Sequence, residues 1–566
     1  MSSRLRAGIA GAVGAVVAFG LAELVHGLFE RVPSIFVALA QAVIQLTPGE
    51  FVTRGIEALG TADIPVLVAS LVIGTLLVAA LLGILSVRRP YLALLIVGVL
   101  AVVAVAAAFA QPGVAPVATI LTVIGALAAG CAVTSTLTSA AGFATGAERS
   151  APEAAAAGSV NDPDSPVVRS REAHSERGTA VGRGGFLLLS GGAAAAGLAA
   201  VGVGRLLAGQ NSPEAAAPKK LKLSDSAKQT SDSPSGKSED GAKKAAVKHE
   251  TLPPPDPEAS LDVPGMPPLI TPAKDFYLID TVLQSPRIDV NTWKLSVKGA
   301  VDNPVEFSYK DLLGMSTREA DVTLSCVSNE VGGGLVSNGR WTGVLLSDVL
   351  KEAGVSREKI TRASRQLVGR SVDGWTSGFK TEIALDGREA LVAFGLNGSE
   401  LPAKHGYPVR LVVPGLYGYV SATKWITEIE LTNWDFDAYW IQRTWTKDGP
   451  VKTQSRIDTV KDGDSLTAGT VQVGGVAWAP HRGISKVEVS ADDGSSWNEA
   501  RLAKQLDDDS WRQYVYDWDA RPGDYTLQVR ATDGDGVTQT GKLRPPHGGG
   551  GTDGATGYHT IQVSVA

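Results

Sequence analysis

The sequence predicts a multidomain chain: an all-α membrane-spanning region at the N-terminus, then a mixed α+β domain, then an all-β sandwich. Three observations predict it. Apolar stretches long enough to cross a bilayer are confined to the residues before Ala208. Composition turns abruptly to Ser, Lys, Asp, Pro and Ala between Ala208 and Gly265. Beyond Gly265, short alternating runs are separated by turn signals, many of them Asp-Gly. The 566 residues are 44% hydrophobic and 19% charged, and their mean hydropathy of +0.09 averages two unlike regions. A net charge of -6 leaves no basic footprint and argues against a nucleic-acid partner. With only Cys131 and Cys326, the chain has no disulfide framework, so any special role for a cysteine is chemical.

Taken in order, residues 1–207 form the membrane region. Five stretches, Ala7 to Phe29, Ile64 to Ser86, Tyr91 to Ala110, Val114 to Leu137 and Gly185 to Gly204, reach the length of about 20 residues that a span requires. Ser34 to Leu46 is shorter and contains Gln41 and Gln45, which suits an interfacial or re-entrant helix. Arg4 and Arg6, Arg88 and Arg89, and Arg149, Arg169, Arg171, Arg177 and Arg183 fall on one face of a five-span arrangement, against Arg31, Arg54 and Arg205 on the other. The positive-inside rule puts the richer face in the cytoplasm and everything after Gly204 outside it, a multi-pass cell-membrane protein. Glu23 and His26 lie one turn apart in the first span; they are either a functional pair or a pair reaching the interface. A haem between helices needs a second histidine, and no other span has one. Residues 208–265 read as a disordered tether.

In the outer part, Trp293 to Gly299 alternates like a half-buried strand, and Val344 to Gly354 has helical spacing. Val409 to Pro414 is apolar except for Arg410, and a cation in a buried strand requires an anionic partner, either a carboxylate or a ligand. Cys326 ends the strand-like run Asp321 to Ser325 and enters a loop containing Gly332, Gly333 and Gly334. A thiolate in such a loop suits a nucleophile or a soft-metal ligand.

Six stretches between Pro272 and Thr446 resemble the molybdenum cofactor domain of the sulfite oxidase family. They are Trp293 to Gly299; Thr323-Leu324-Ser325-Cys326; Gly339 to Leu346; Asn397-Gly398 with Leu401-Pro402; His405 to Arg410; and Val413-Pro414-Gly415 leading to Lys424-Trp425. The resemblance implies an α+β molybdopterin domain over residues 266–446, with Cys326 as the protein's thiolate ligand to molybdenum and hence the catalytic residue. It implies that His405, Arg410 and Lys424 hold the pterin phosphate, the anion that Arg410 needs. Tyr277 and Ser371 fall where relatives contact the cofactor. Lys424 is displaced by one residue from the commonest family spacing, which makes Ser421 and Thr423 companion candidates.

Residues 451–566 resemble the same family's immunoglobulin-like dimerisation domain, through Gly474 to Trp478, Ile484 to Ser490, Asp493 to Trp497 and Val529 to Asp533. The implied assembly is a homodimer. Short strands broken by Asp-Gly turns independently indicate an antiparallel sandwich. Asp533-Gly534-Asp535-Gly536 has no Glu at the EF-hand spacing and reads as a hairpin turn.

The match departs from the family where sulfite-oxidising members carry cations. Ile279 and Val331 stand at two arginine positions, Trp445 at a tyrosine position, and Arg544 at a third pocket cation. Losing two charge-assisted contacts of roughly 1.5–3 kcal/mol each makes sulfite a poor substrate. The less cationic, more aromatic pocket is similar to that of the periplasmic methionine sulfoxide reductase branch. The expected reaction is two-electron oxygen-atom transfer on a small molecule such as a sulfoxide. Electrons would pass through an external carrier, a quinone-linked membrane protein or a cytochrome. The alternative is a binding or structural module that kept the fold without catalysis. Gly182-Arg183-Gly184-Gly185-Phe186 has the shape of a twin-arginine export signal but one arginine, and equally suits an ordinary helix flank.

Overall fold

The computed structural model describes residues 2–59, 63–142, 181–210, 218–221, 223, 247–547 and 552–566. They fall in two compact units, Met1–Leu46 with Thr61–Ala215, and Thr47–Gly60 with Ala216–Ala566.

The first unit is helical: α1 (Ser3–Leu28), α2 (Ile35–Leu46), α4 (Asp63–Arg88), α5 (Pro90–Phe109), α6 (Pro116–Ala140) and α7 (Arg183–Gln210). All of these except the 12-residue α2 are long and apolar enough to cross a membrane. Between apolar helices in lipid, association rests on close packing rather than on the hydrophobic effect. Accordingly α1 is the most buried helix and carries glycines where its neighbours approach. A Cβ on Gly20 would lie 2.3 Å from the Gly197 carbonyl of α7, and one on Gly27 would lie 2.3 Å from that of Gly204. Glu23 and His26 are buried in α1. The Glu23 carboxylate accepts from the Ser34 hydroxyl and lies 3.9 Å from Arg205 Nε. His26 Nδ1 donates to the Val32 carbonyl at 2.7 Å. Arg149, Arg169, Arg171 and Arg177 lie outside the described residues.

The second unit includes α3 (Gly49–Leu59) and begins its main body inside the expected tether. The stretch from 224 to 246 lies outside the described residues, but β1 (His249–Glu250) pairs with β4 (Thr317–Ser325), and Ala259 is buried in the core. The expected tether therefore does not reach Gly265. Ala259 packs into the large core and Val263 is buried, which a composition average does not reveal.

The strands β2 (Lys294–Gly299), β3 (Val305–Ser308), β5 (Val336–Leu345), β6 (Gln366–Ser371), β7 (Thr376–Lys380), β8 (Leu391–Leu396), β9 (Ser399–Glu400), β10 (Arg410–Val412) and β11 (Ile426–Thr432) build two sheets. One runs β1-β4-β5-β8-β10 with β9 on β8; the other runs β3-β2-β11-β6-β7. Short helices α8 (Tyr309–Leu313), α9 (Leu346–Glu352) and α10 (Gly418–Ser421) complete the α+β domain. The expected helix from Val344 starts two residues later, because Val344 and Leu345 pair with β8.

The first sheet is buried on both faces, and strand alternation decides what each face meets. Val392, Phe394 and Leu411 enter the large core with the second sheet, whereas Leu391, Ala393 and Val412 join Ala320, Val322, Leu324, Trp341 and Phe276 on the opposite face. Arg410 shares parity with Val412, so its guanidinium lies on the Trp341 side, 5.0 Å over that ring.

C-terminal strands β12 (Gln454–Ile457), β13 (Ser465–Leu466), β14 (Gly469–Trp478), β15 (Ile484–Ser490), β16 (Asn498–Glu499), β17 (Arg501–Leu502), β18 (Arg512–Ala520), β19 (Gly523–Asp533) and β20 (His559–Val565) form two further sheets. Their orders are β12-β14-β18-β17 and β13-β20-β19-β15-β16. Val473 and Tyr514 of the first share one core with Val487, Leu527 and Ile561 of the second, which makes a sandwich. Asp533 to Gly536 is a turn, with Gly536 N–H donating to the Asp533 carbonyl at 3.1 Å. The sandwich is fixed to the α+β domain at β4: Ser510 Oγ donates to the Asp321 carbonyl at 2.9 Å and Trp511 N–H to Thr323 Oγ1 at 2.7 Å.

Candidate functional site

Cys326 follows the last residue of β4, so the sheet fixes its backbone: its N–H donates to the Leu335 carbonyl at 2.9 Å. The loop between them is closed internally. Asn329 N–H donates to the Cys326 carbonyl at 3.1 Å, and Leu335 N–H donates to buried Asn329 Oδ1 at 2.7 Å. Cys326 remains partly exposed. Burial of its surroundings pushes the thiol up, while hydrogen bonds from the Ser328 backbone and hydroxyl and the Val327 backbone pull it down. Among the described residues no group of three or more His, Cys, Asp and Glu side chains is placed to hold a metal. A metal on Cys326 therefore needs ligands it brings with it, as a pterin-borne metal does.

Tyr277 interacts electrostatically with both Cys326 and Arg410, and burial is the first cause pushing its phenol up. Its ring stacks on Phe276, which meets the Trp341 and His405 rings edge-on at 5.4 and 5.7 Å. Arg410 is 5% exposed. Its Nε and Nη1 donate only to the carbonyls of Leu411 and His405, at 3.3 and 3.2 Å. Among the described residues it forms no salt bridge, and burial lowers its pKa from its ordinary value to about 10. The cation predicted from sequence to need an anion thus lacks a bound carboxylate.

Lys424 lies at the other side of the same cluster. Its ammonium is 2.5 Å from Asp280 Oδ1 and donates to the Lys404 carbonyl at 3.1 Å. Burial pushes Asp280 up and Lys424 down, each opposed by the other's charge. Trp425, immediately after it, holds a positive φ of 50°, a strained backbone kept by its indole N–H bond to the Ala403 carbonyl at 2.8 Å. Gly406, at φ 110°, lets the His405 turn close on both cations: a Cβ there would lie 3.0 Å from Arg410 Cβ and 3.2 Å from Lys424 Cγ. His405 is buried and its Nε2–H donates to the Ala273 carbonyl at 3.1 Å. Burial first, then the charges of Lys424 and Arg410, lowers its pKa to about 3, so the ring is neutral at neutral pH and Nδ1 carries a lone pair.

The remaining candidates divide. Ser371, at the end of β6 opposite Ile426, has a buried hydroxyl without a partner. Asp373 in the turn after it acts electrostatically on Lys424 and Asp280. Thr423 Oγ1 is bonded to Ser377 Oγ at 2.6 Å, and Ser421 Oγ donates to the Tyr417 carbonyl at 3.0 Å; both hydroxyls are committed to the fold. Trp445 is buried and stacks on Trp440 at 4.0 Å, with Tyr419 edge-on at 5.3 Å. Ile279 and Arg544 are exposed, and Arg544 pairs its backbone with Thr556. Asp280 escaped sequence reasoning as a site residue; the signal was Lys424, a second cation whose surroundings have to contain a carboxylate. The donor set fits the group: a soft thiol, an unpaired buried guanidinium, a buried ammonium and an unpartnered serine hydroxyl.

Residues 282–440 match the family model described as the oxidoreductase molybdopterin binding domain, and residues 445–539 match the Mo-co oxidoreductase dimerisation domain. Mitochondrial sulfite oxidases of Rattus norvegicus and Homo sapiens are each 31% identical over 271 residues, 41% of this chain and 49% of theirs. The chain therefore spans about half the length of these curated relatives, 49%. Nitrate reductase [NADH] of Spinacia oleracea is 30% identical over 177 residues, 27% of this chain and 19% of its own. The solved structure of the sulfane dehydrogenase SoxCD from Paracoccus pantotrophus is similar with a TM-score of 0.46 and 24% identity, covering 59% of this chain and 94% of that one. The cofactor these matches imply is molybdenum-molybdopterin. Residues 282–440 and 445–539 thus carry the molybdopterin-binding and dimerisation domains of the sulfite oxidase family of molybdopterin-dependent oxidoreductases.

Proposed function

We propose that the chain is a membrane-anchored, extracytoplasmic oxidoreductase that carries out two-electron oxygen-atom transfer on a small neutral substrate of the sulfoxide class. The observation that carries the reading is Arg410, a buried guanidinium without a salt bridge in the same cluster as Cys326, Tyr277 and Lys424. Burying such a charge is unfavourable unless an anion arrives, and the pterin phosphate is one. When bound, the molybdenum-molybdopterin group supplies the two-electron redox chemistry.

The chain's own residues do the rest. Cys326 offers the thiolate ligand from the end of a rigid strand. Arg410 and Lys424 hold the phosphate by charge-assisted hydrogen bonds, and the unpartnered Ser371 hydroxyl adds a neutral donor. His405 contributes position rather than charge, since its one N–H is turned to Ala273. Tyr277 stays a neutral phenol within electrostatic reach of both Cys326 and Arg410. Thr423 and Ser421 shape the wall through Ser377 and Tyr417.

The substrate class rests on the apolar and aromatic residues, Ile279, Val331 and Trp445, at positions where sulfite-oxidising relatives present cations and a tyrosine. A direct comparison of sulfite with methyl sulfoxides tests it: turnover of sulfoxides is expected, and brisk sulfite oxidation would refute the substrate class. The five apolar helices and the arginine asymmetry support membrane anchoring with the outer unit exported; a reporter fused after Gly204 and active only in the cytoplasm would contradict it. The sandwich is read as the immunoglobulin-like module through which two chains pair. Electrons pass to or from a separate carrier, a quinone-linked protein or a cytochrome.

A further inference from the structure

The loop that follows Cys326 is held from the sandwich as well as from its own strand. Arg456, the third residue of β12, donates from Nη1 to the Gly333 carbonyl at 2.8 Å. Its Nε is fixed on Asp458 Oδ1 at 2.7 Å, with both side chains largely buried. Its carbonyl accepts from the buried Tyr514 hydroxyl at 2.9 Å. Beside it, the His559 ring lies so close to Gly332 that a Cβ there would be 2.2 Å from Cδ2, and its Nδ1 accepts from Ile457 N–H at 2.9 Å. Two consecutive glycines of the loop, Gly332 and Gly333, are thus met by two side chains whose other ends are anchored in the sandwich. Next to this contact is a polar cavity of about 320 Å³, bordered by Gly332, Gly334, Asp458, Lys461, Asp462 and His559. The loop has room to shift if the clamp is lost.

We propose that Arg456, seconded by His559, is a positioning residue for Cys326: the sandwich clamps the loop at Gly332 and Gly333 and so fixes the direction in which the thiolate is presented. The proposal rests on the reading of Cys326 as the metal ligand. The guanidinium fork suits the task because it holds Asp458 with one nitrogen and the loop carbonyl with another, which an ammonium cannot do in the same geometry. Asp458 is itself largely buried and holds Arg456 Nε through Oδ1, so it orients the guanidinium.

The test uses the full chain in detergent with Cys131→Ala, so that Cys326 is the sole thiol. In cofactor-free protein, iodoacetamide alkylation of Cys326 is followed in the parent, Arg456→Met, Arg456→Lys and Asp458→Asn. Losing one charge-assisted hydrogen bond from the closed loop is expected to speed alkylation about tenfold in Arg456→Met, with Arg456→Lys between it and the parent. In cofactor-loaded protein the sulfur-to-metal charge-transfer band shifts in the same order. Asp458→Asn keeps the shape and serves where Arg456→Met does not fold, with a smaller change in the same direction. Alkylation rates of the variants within twofold of the parent, or a Lys variant no closer to the parent than Met, would overturn the clamp. The metal-free arm separates the two readings: faster alkylation together with a charge-transfer band in loaded protein that Cys326→Ser leaves unchanged keeps the clamp and sinks the ligand assignment.

Discussion

Replacing Arg410 with methionine separates what this side chain does for the cofactor from what it does to the fold. In the cofactor-free chain its guanidinium is 5% exposed and burial lowers its pKa to about 10. A base whose folded pKa is depressed is destabilising at every pH below that pKa, and the penalty fades only as pH rises from about 10 towards the ordinary value of a guanidinium. At roughly 1.4 kcal/mol per pH unit the penalty at neutral pH is about 3 kcal/mol. Methionine fills similar space without charge, and gives up two long hydrogen bonds to carbonyls and the contact with Trp341. Those losses amount to about 1–2 kcal/mol together, which leaves a net gain of about 1–2 kcal/mol. Retention of the pterin phosphate changes the other way, by roughly ten- to a hundredfold for one charge-assisted contact. Thermal unfolding of the full chain in detergent, followed by the fluorescence of its 11 tryptophans, measures the first effect. Pterin content after gel filtration measures the second. An Arg410→Met chain that is less stable when cofactor-free and retains pterin like the parent would refute the reasoning.

Three further outcomes are expected. Lys424→Met leaves Asp280 buried and unpaired, which lowers stability by about 3–5 kcal/mol; adding Asp280→Asn restores most of it, and denaturant titration of the single and double variants reads the recovery. His405, with its folded pKa near 3 against an ordinary 6.5, makes the cofactor-free chain lose stability as pH falls through 6.5, because the unfolded chain binds the proton first. His405→Gln flattens that part of the melting temperature against pH curve by up to about 1.4 kcal/mol per unit. Gly20→Val drives a side chain into the Gly197 carbonyl of α7 and destabilises the helical unit by about 1–3 kcal/mol or more, read by far-ultraviolet circular dichroism on heating.

Much of this molecule is legible in its sequence where one residue's chemistry dictates its surroundings. Apolar length alone marks the five long helices, alternation marks β2, and a continuous apolar run marks β10. The oddity of Arg410 in an apolar strand is enough by itself to point to an anion. Legibility fails where the partner is distant in sequence. Composition makes 208–265 look unable to fold, yet Ala259 buries in a core built from strands far along the chain. Asp280 is invisible as a site residue until the turn before β11 brings Lys424 to it. Arg456 and His559 carry no motif; their importance comes from a contact spanning 123 residues to Gly333 and one nearly twice as long in sequence to Gly332. Ser421 and Thr423 enter only as companions of Lys424 implied by the family resemblance, and their hydrogen bonds to Tyr417 and Ser377 are not readable in the sequence.

The central claim is that Cys326 binds molybdenum, and X-ray absorption at the molybdenum edge tests it most directly. The full chain and its Cys326→Ser variant are purified from a host able to make the cofactor. The account predicts near-stoichiometric molybdenum in the parent and one sulfur scatterer fewer around the metal in any molybdenum the variant retains. Absence of molybdenum from the parent, or the same sulfur count in both chains, would contradict it.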